Sequence, residues 1–202
     1  MELQRWKNLM QNLGIPSNES TYEALLKAYS EKHRRYHTGE HIEAILRHLD
    51  SAVDLANDIY EIEVALWFHD AVYKQFSAKN ELDSAIWASQ FLSNNGVSQD
   101  RIDRIHSLIM ATIHTAETEG NDQLLIVDID LSILGSSQAV YDQFEKDVRY
   151  EYKLVPYFLY RKKRREILAS FLERERIYMN DFFHSKLEER ARVNLSNAID
   201  SL

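Results

Sequence analysis

A histidine and an aspartate stand side by side, as His69 and Asp70, in the apolar run over residues 65–73. An ionised carboxylate is costly to bury in a core-forming segment unless a partner neutralises it, and the imidazole needs a partner too. A bound cation would satisfy both groups. Neighbouring side chains on a helix diverge by about 100°, so the two converge on one ion only near a helix end, where other segments add ligands. The doublet therefore predicts partners elsewhere in the chain.

Other histidines and acids lie at the edges of apolar segments. His41 falls in the first turn of a predicted helix, His114 stands at the end of another, and Asp128 and Asp130 interrupt the apolar run over residues 124–135. Each has a structural alternative: a packed histidine, a spectator, or an aspartate that caps a turn. The doublet itself arises by chance roughly 0.5 times in a chain of this composition, so it also fits a helix-end aspartate beside a core histidine.

The elements that must position these groups are predicted to be helices. The chain has only five Gly and two Pro and is rich in helix-forming residues. Helices are predicted over residues 2–13, 20–36, 39–56, 62–72, 80–94 and 99–113, with a buried central helix at 62–72. The run over 124–135 fits a strand at 125–129 or, better in this chain, a helix. Inward-facing positions are predicted at Ile42, Ile45, Leu46, Leu49, Val53, Ala56, Leu82, Ala85, Ile86, Leu92, Val140, Phe144 and Val148.

Composition limits the domain organisation and the chemistry. The 202 residues suit one all-α domain spanning residues 1–202, with long helices from about residue 140 packed on its core. The absence of Cys excludes disulfides, thiolate zinc sites and a Cys nucleophile, so a metal must use His and carboxylate ligands. The formal charge of −8 argues against binding a nucleic-acid polymer. Without a signal core or a spanning segment, we expect a cytoplasmic protein with no membrane partner.

The order His41, His69-Asp70, Asp130 resembles the pattern of the HD superfamily of metal-dependent phosphohydrolases. In that superfamily a His, a His-Asp doublet and a later Asp bind one divalent ion inside a helical bundle. The residues around these positions are similar to a bacterial branch of predicted HD-type hydrolases, over nearly the whole chain. The matching stretches are residues 35–37, 41–42, 65–73, 128–135, 149–152 and 191–195.

By this resemblance His41, His69, Asp70 and Asp130 are the expected metal ligands. His37 competes with His41 for the first place and Asp128 competes with Asp130 for the last. His37, His114 and Asp128 could also serve a second metal or the substrate. Two His and two Asp suit Mn, Fe, Co, Ni or Zn, with Mg as a further option.

The resemblance implies hydrolysis of a phosphate ester, of a nucleotide or another small phosphorylated metabolite, by a metal-activated water that Asp70 can hydrogen-bond. By position, the predicted substrate contacts are Arg35, Lys74, Glu81 and one of Arg164 and Arg165. The basic run over residues 161–165 that contains the last two also fits a solvated helix face.

Two other function classes remain open from the sequence. The chain fits a non-catalytic nucleotide-binding or regulatory helical protein, because its long charged C-terminal helices suit a protein partner or a homo-oligomer interface. It also fits, less well, a di-iron oxygenase on the same framework. Release of phosphate, tight binding without turnover, and iron-dependent oxygen consumption separate the three classes.

Overall fold

The computed structural model describes residues 1–114 and 118–202 of the chain, and these residues are helical with no strand. The all-α prediction is therefore confirmed, and the apolar run over 124–135 is a helix that ends in a 3-10 turn. The helices of the described residues are α1 Leu3–Leu13, α2 Glu19–Tyr29, α3 Gly39–Asp50, α4 Ile59–Phe68, α5 Asn80–Asn94, α6 Gln99–Ala111, α7 Asn121–Asp130, α8 Gln138–Glu151, α9 Tyr157–Leu172 and α10 Asp181–Ser201.

The chain divides into two compact units, Met1–Val127 and Asp128–Leu202. The first contains α1 to α6 and most of α7, and the second contains the end of α7, the 3-10 turn Leu131–Gly135 and helices α8 to α10. The expectation of one domain over the whole chain stays a prediction. Within the described residues, no single helix is both long and apolar enough to cross a membrane.

Helix α4 is the centre of the first unit, as its apolar sequence predicts. It packs against α1, α3, α5 and α6, and every residue from Glu61 to Phe68 is buried. Trp67 meets Trp6 of α1 edge-on, with ring centroids 5.4 Å apart. Each large side chain buried in this way contributes about 1.5–3 kcal/mol. The core therefore fixes the end of α4, where His69 follows.

Two glutamates on this buried helix are neutralised by arginines. The Glu61 carboxylate accepts hydrogen bonds from Arg101 Nε at 3.0 Å and Arg104 Nε at 2.8 Å. The Glu63 carboxylate accepts one from Arg5 Nε at 2.7 Å. Because a buried charge needs a close partner, these pairs explain how a core helix carries acids without a metal ion, and they tie α4 to α6 and α1.

Several predicted boundaries and faces are wrong. The second helix was expected to reach residue 36 but ends at Tyr29, and α3 ends at Asp50. Residues 30–38 form turns, in which Arg34 donates to the carbonyl of His37 and to that of Asp70 after α4. A helix that continued through residue 36 could not make both bonds. Four residues that were predicted to face inward are exposed in the structure: Val53, Leu82, Ile86 and Val140.

In the second unit, α10 packs against α8, α9 and the 3-10 turn Leu131–Gly135. The turn approaches the helix closely at Gly135, where a Cβ atom would lie 2.5 Å from the Leu187 Cβ and 2.8 Å from the Leu187 carbonyl oxygen. Glycine is required here by close packing, because any side chain would overlap α10.

Candidate metal centre

The turn after α4 and the first turn of α3 carry the central side chains of the site. His69 caps the C-terminus of α4, Asp70 follows it, and His41 lies near the start of α3. The packing of α3 on α4 brings these two helix ends together. The doublet thus lies at a helix end, the place where adjacent side chains can converge.

The three side chains face one another at short range. His41 Nε2 lies 3.3 Å from His69 Nε2, and Asp70 Oδ2 lies 3.0 Å from His69 Nε2 and 3.8 Å from His41 Nε2. The side chains of both histidines are almost fully buried, and that of Asp70 is 14% exposed. Two ring nitrogens and a carboxylate oxygen therefore meet at a point with a narrow opening to solvent.

The tautomer of His69 follows from the hydrogen-bond partner of its Nδ1 atom. Nδ1 lies 2.9 Å from the Leu66 carbonyl oxygen, which can only accept a hydrogen bond, so Nδ1 is the donor. In the neutral ring the lone pair then belongs to Nε2, the atom that faces His41 and Asp70. Metal-ligating histidines are oriented in this way by a backbone carbonyl.

The Asp70 carboxylate is held in its ionised form. Burial raises the pKa of Asp70, but the charges of His69, His37 and His41 in their protonated form, with the hydrogen bond that protonated His69 can donate, outweigh it and lower the net pKa. When these rings are neutral, they leave the charge of the Asp70 carboxylate unbalanced. A bound cation would then balance it.

The donor set fits a divalent transition metal. The ligand nitrogens of His41 and His69 lie close enough together to hold one metal ion. Nitrogen and carboxylate oxygen together form a site of intermediate softness, which suits several first-row metals and selects no single one.

An aromatic layer surrounds the histidines. Tyr36 packs on the His41 ring with centroids 4.7 Å apart, and His37 stacks on Tyr73 at 4.2 Å. The His37 and His41 centroids are 6.4 Å apart, so the structure brings His37 beside the site. Because His41 is the ring that faces His69 and Asp70, its predicted place as the first ligand agrees with the geometry, and a second-metal role for His37 stays a prediction.

Beneath the site lies Arg34, which the sequence analysis missed. Its buried guanidinium donates to the carbonyls of His37 at 3.2 Å, Asp70 at 2.7 Å and Ala71 at 3.0 Å. Its neighbour Arg35, the predicted substrate contact, is exposed. Nothing in the local pattern separates the two arginines, because the chain has already left α2 and helical periodicity no longer applies.

The turn that follows Asp70 is held by polar side chains of α5. The Val72 N–H donates to Ser84 Oγ at 3.0 Å. Asn80 bonds Lys74 twice, accepting from its N–H and donating to its carbonyl, each at 3.0 Å. These bonds satisfy the backbone of an irregular segment, and they fix the conformation in which Asp70 faces the histidines.

Asp128 and Asp130, the two candidates for the last ligand, belong to the second unit. Asp128 is fully buried, and its carboxylate accepts hydrogen bonds from the Met179 N–H at 2.9 Å, the Asn180 N–H at 2.7 Å and Asn180 Nδ2 at 2.8 Å. These bonds give Asp128 a structural role at the start of α10. Asp130 is the half-buried last residue of α7, and its role as a ligand stays a prediction.

The other predicted residues of the first unit lie on or near the surface. Lys74 Nζ pairs with Asp83 at 3.1 Å and is mostly exposed, while Glu81 is half-buried in the first turn of α5. His114 follows α6 with a left-handed φ of 62°, which is uncommon for a residue with a side chain. Their predicted contacts with substrate or a second metal stay predictions.

In the basic run of α9, Arg164 has a structural partner. Its Nε and Nη2 bond the two oxygens of Glu145 at 3.0 and 2.6 Å, and its side chain is largely buried. Arg165 Nη2 donates to the Ile199 carbonyl at 3.1 Å. Arg161, Lys162 and Lys163 are exposed, which agrees with the solvated-face alternative for this part of the run.

Comparisons of the chain with protein-family models, with curated proteins and with solved structures give no match.

Proposed function

We propose that this protein is a metal-dependent phosphohydrolase of the HD type, which cleaves a phosphate ester of a nucleotide or another small phosphorylated metabolite. The observation that supports the proposal most directly is the convergence of His41, His69 and Asp70 within 3.8 Å of one another. The pattern of the sequence adds Asp130 as the fourth ligand. Four protein ligands leave positions for water and substrate on a five- or six-coordinate ion.

In this proposal the chain's own groups have separate tasks. His69 offers Nε2 because Leu66 holds its Nδ1 proton, and His41 offers Nε2 from the opposite helix. A bound divalent ion of the Mn, Fe, Co, Ni, Zn or Mg group would supply a more acidic water and polarise a phosphoryl oxygen. Asp70, as an ionised carboxylate, can accept a hydrogen bond from the attacking water.

The test is phosphate release from a panel of nucleotides and small phosphate esters, each with Mn, Co, Ni, Mg or Zn. We expect metal-dependent release from at least one substrate class, and a loss of at least about 100-fold in Asp70→Ala. Asp54→Ala, which removes an exposed aspartate of the same unit, is the matched control and should retain activity. Circular dichroism checks that both variants are folded.

Three results would contradict the proposal. Tight nucleotide binding without turnover under every metal would favour the binding or regulatory class. Iron at two equivalents with oxygen consumption would favour the oxygenase. Release of phosphate that persists in Asp70→Ala would place the chemistry elsewhere in the protein.

A further inference from the structure

Arg34 links the two segments that carry the metal-binding side chains. One carbonyl that it bonds belongs to His37, in the segment leading to His41, and the other two belong to Asp70 and Ala71, directly after His69. One guanidinium thus bridges two segments that are distant in sequence. Asp70 follows Arg34 by 36 positions. Its five donors in a planar fork make this geometry available to arginine and not to lysine.

The surroundings of Arg34 fix the guanidinium in place. Its carbon lies 5.2 Å from the Tyr29 ring centroid and 5.4 Å from that of Tyr73, and its Nε bonds the Glu31 carboxylate at 3.0 Å. The side chain is fully buried. A buried cation that is costly to desolvate is retained here with one carboxylate and three carbonyls as partners. The Asp70 backbone therefore cannot shift without breaking a charge-assisted hydrogen bond.

We propose that Arg34 is a positioning residue that sets the metal affinity of the site by holding the Asp70 backbone against the segment leading to His41. The inference rests on the proposed metal site. Arg34 acts on the ligands through the backbone, by its hydrogen bonds to the carbonyls of His37, Asp70 and Ala71. Groups that orient metal ligands in this indirect way typically change metal affinity by about 10- to 100-fold.

The first measurement uses the metal-free protein. Backbone hydrogen exchange, followed by mass spectrometry, compares the wild type with Arg34→Lys, which keeps the charge but has three donors on one nitrogen in place of the planar fork that bonds three carbonyls and Glu31. We expect exchange over residues 36–41 and 69–73 to become about tenfold faster, the size expected from losing one charge-assisted hydrogen bond. Arg47→Lys, an exposed substitution on α3, is the matched control and should leave both segments unchanged.

The second measurement is a Co²⁺ titration followed by visible absorption. Arg34→Lys should bind Co²⁺ about 10- to 100-fold more weakly, with altered absorption bands, whereas Arg47→Lys should match the wild type. A purely structural arginine would lower stability but leave the spectrum of the folded, loaded protein unchanged. Glu31→Gln, at an exposed residue, weakens the contact with Arg34 Nε and the 3.7 Å approach to His33 Nε2. It should give a smaller change in the same direction and serves if Arg34→Lys does not fold.

The outcomes separate the two proposals. If the wild type binds no Co²⁺, the metal site is wrong, and the exchange data alone decide whether Arg34 couples the two segments. If the wild type binds Co²⁺ and the Arg34 and Glu31 variants match Arg47→Lys in exchange, affinity and spectrum, the positioning role is overturned.

Discussion

Asp128 and Asp130 are close in sequence, yet their surroundings suit different roles. Burial raises the pKa of Asp128, and the hydrogen bonds from Asn180 and Met179 lower it by less, so the net pKa is raised. Ionising this group is therefore costly, and its three N–H donors are what make the carboxylate tolerable. A carboxylate held by two backbone N–H groups and the Asn180 amide is a structural anchor, and the place of Asp130 as a metal ligand stays a prediction.

We expect Asp128→Ala to lower the free energy of unfolding by about 3 kcal/mol, because it leaves buried N–H donors unsatisfied. Asp142→Ala, at an exposed position of α8, should cost less than about 0.5 kcal/mol. Urea unfolding measures both. In the folded proteins, Co²⁺ affinity should fall in Asp130→Ala and not in Asp128→Ala. The opposite pattern would show that Asp128 is the ligand.

At the scale of elements, the segment before α10 is held by a carboxylate of that helix. Glu188 accepts hydrogen bonds from the Ile177 N–H at 3.0 Å and the Tyr178 N–H at 3.1 Å, and from Arg192 Nε at 2.8 Å. Burial raises the pKa of Glu188, but these donors outweigh it and the net pKa lies below its ordinary value of 4.5. The ionised form thus fastens this segment to the helix.

This lowered pKa predicts a pH dependence. The stabilisation by ionised Glu188 is fully present above its unfolded pKa of about 4.5 and is lost as the pH falls through the lower folded pKa. We expect Glu188→Gln to cost about 1–2 kcal/mol at pH 7 and less at pH 3. Glu189→Gln, at the exposed neighbour, should be neutral at both. A cost of Glu188→Gln that is equal at pH 7 and pH 3 would contradict the role of the charge.

The close approach of the 3-10 turn to α10 gives a second prediction at this scale. Gly135→Ala should lower the free energy of unfolding by about 1–3 kcal/mol, because its Cβ would lie 2.5 Å from the Leu187 Cβ. Ser137→Ala, which adds no bulk at an exposed position whose side chain makes no capping bond, is the control. Thermal unfolding measures both. A neutral Gly135→Ala would mean that α10 moves away at little cost.

At the scale of the whole molecule, each compact unit has its own packed helix, α4 in the first and α10 in the second. His41, His69 and Asp70 all belong to the first unit, so folding of that unit is what assembles them. A ligand that binds only the folded form stabilises it by an amount that grows with the logarithm of the ligand concentration relative to Kd. Metal binding and stability of the first unit should therefore be linked.

We expect a divalent metal at about 100 times its Kd to raise the free energy of unfolding by about 2.7 kcal/mol. Chelation by EDTA should reverse the shift, and Asp70→Ala should largely remove it. Differential scanning calorimetry at several metal concentrations measures the effect. A shift of equal size in Asp70→Ala would mean that the metal stabilises the protein through a different site.

The sequence by itself determined the helical class, the burial of the segment that precedes His69, and the histidines and acids worth considering as ligands. Helical periodicity and the cost of burying a charge act locally, so they can be evaluated from neighbouring residues. They predicted that His69-Asp70 lies near a helix end and needs partners from elsewhere in the chain. His41 was matched to the doublet only through the resemblance in their order, and the structure brings the three side chains within 3.8 Å of one another.

The tertiary structure decided what depends on distant partners. It ended α2 at Tyr29, made Arg34 rather than Arg35 the buried arginine beneath the site, and committed Asp128 to the start of α10. Each result depends on hydrogen bonds between residues more than thirty positions apart. Local propensity carries no information about such contacts. In the unfolded chain, water satisfies the hydrogen bonds of every arginine and aspartate, and only folding decides which of them exchange water for a distant carbonyl or N–H group.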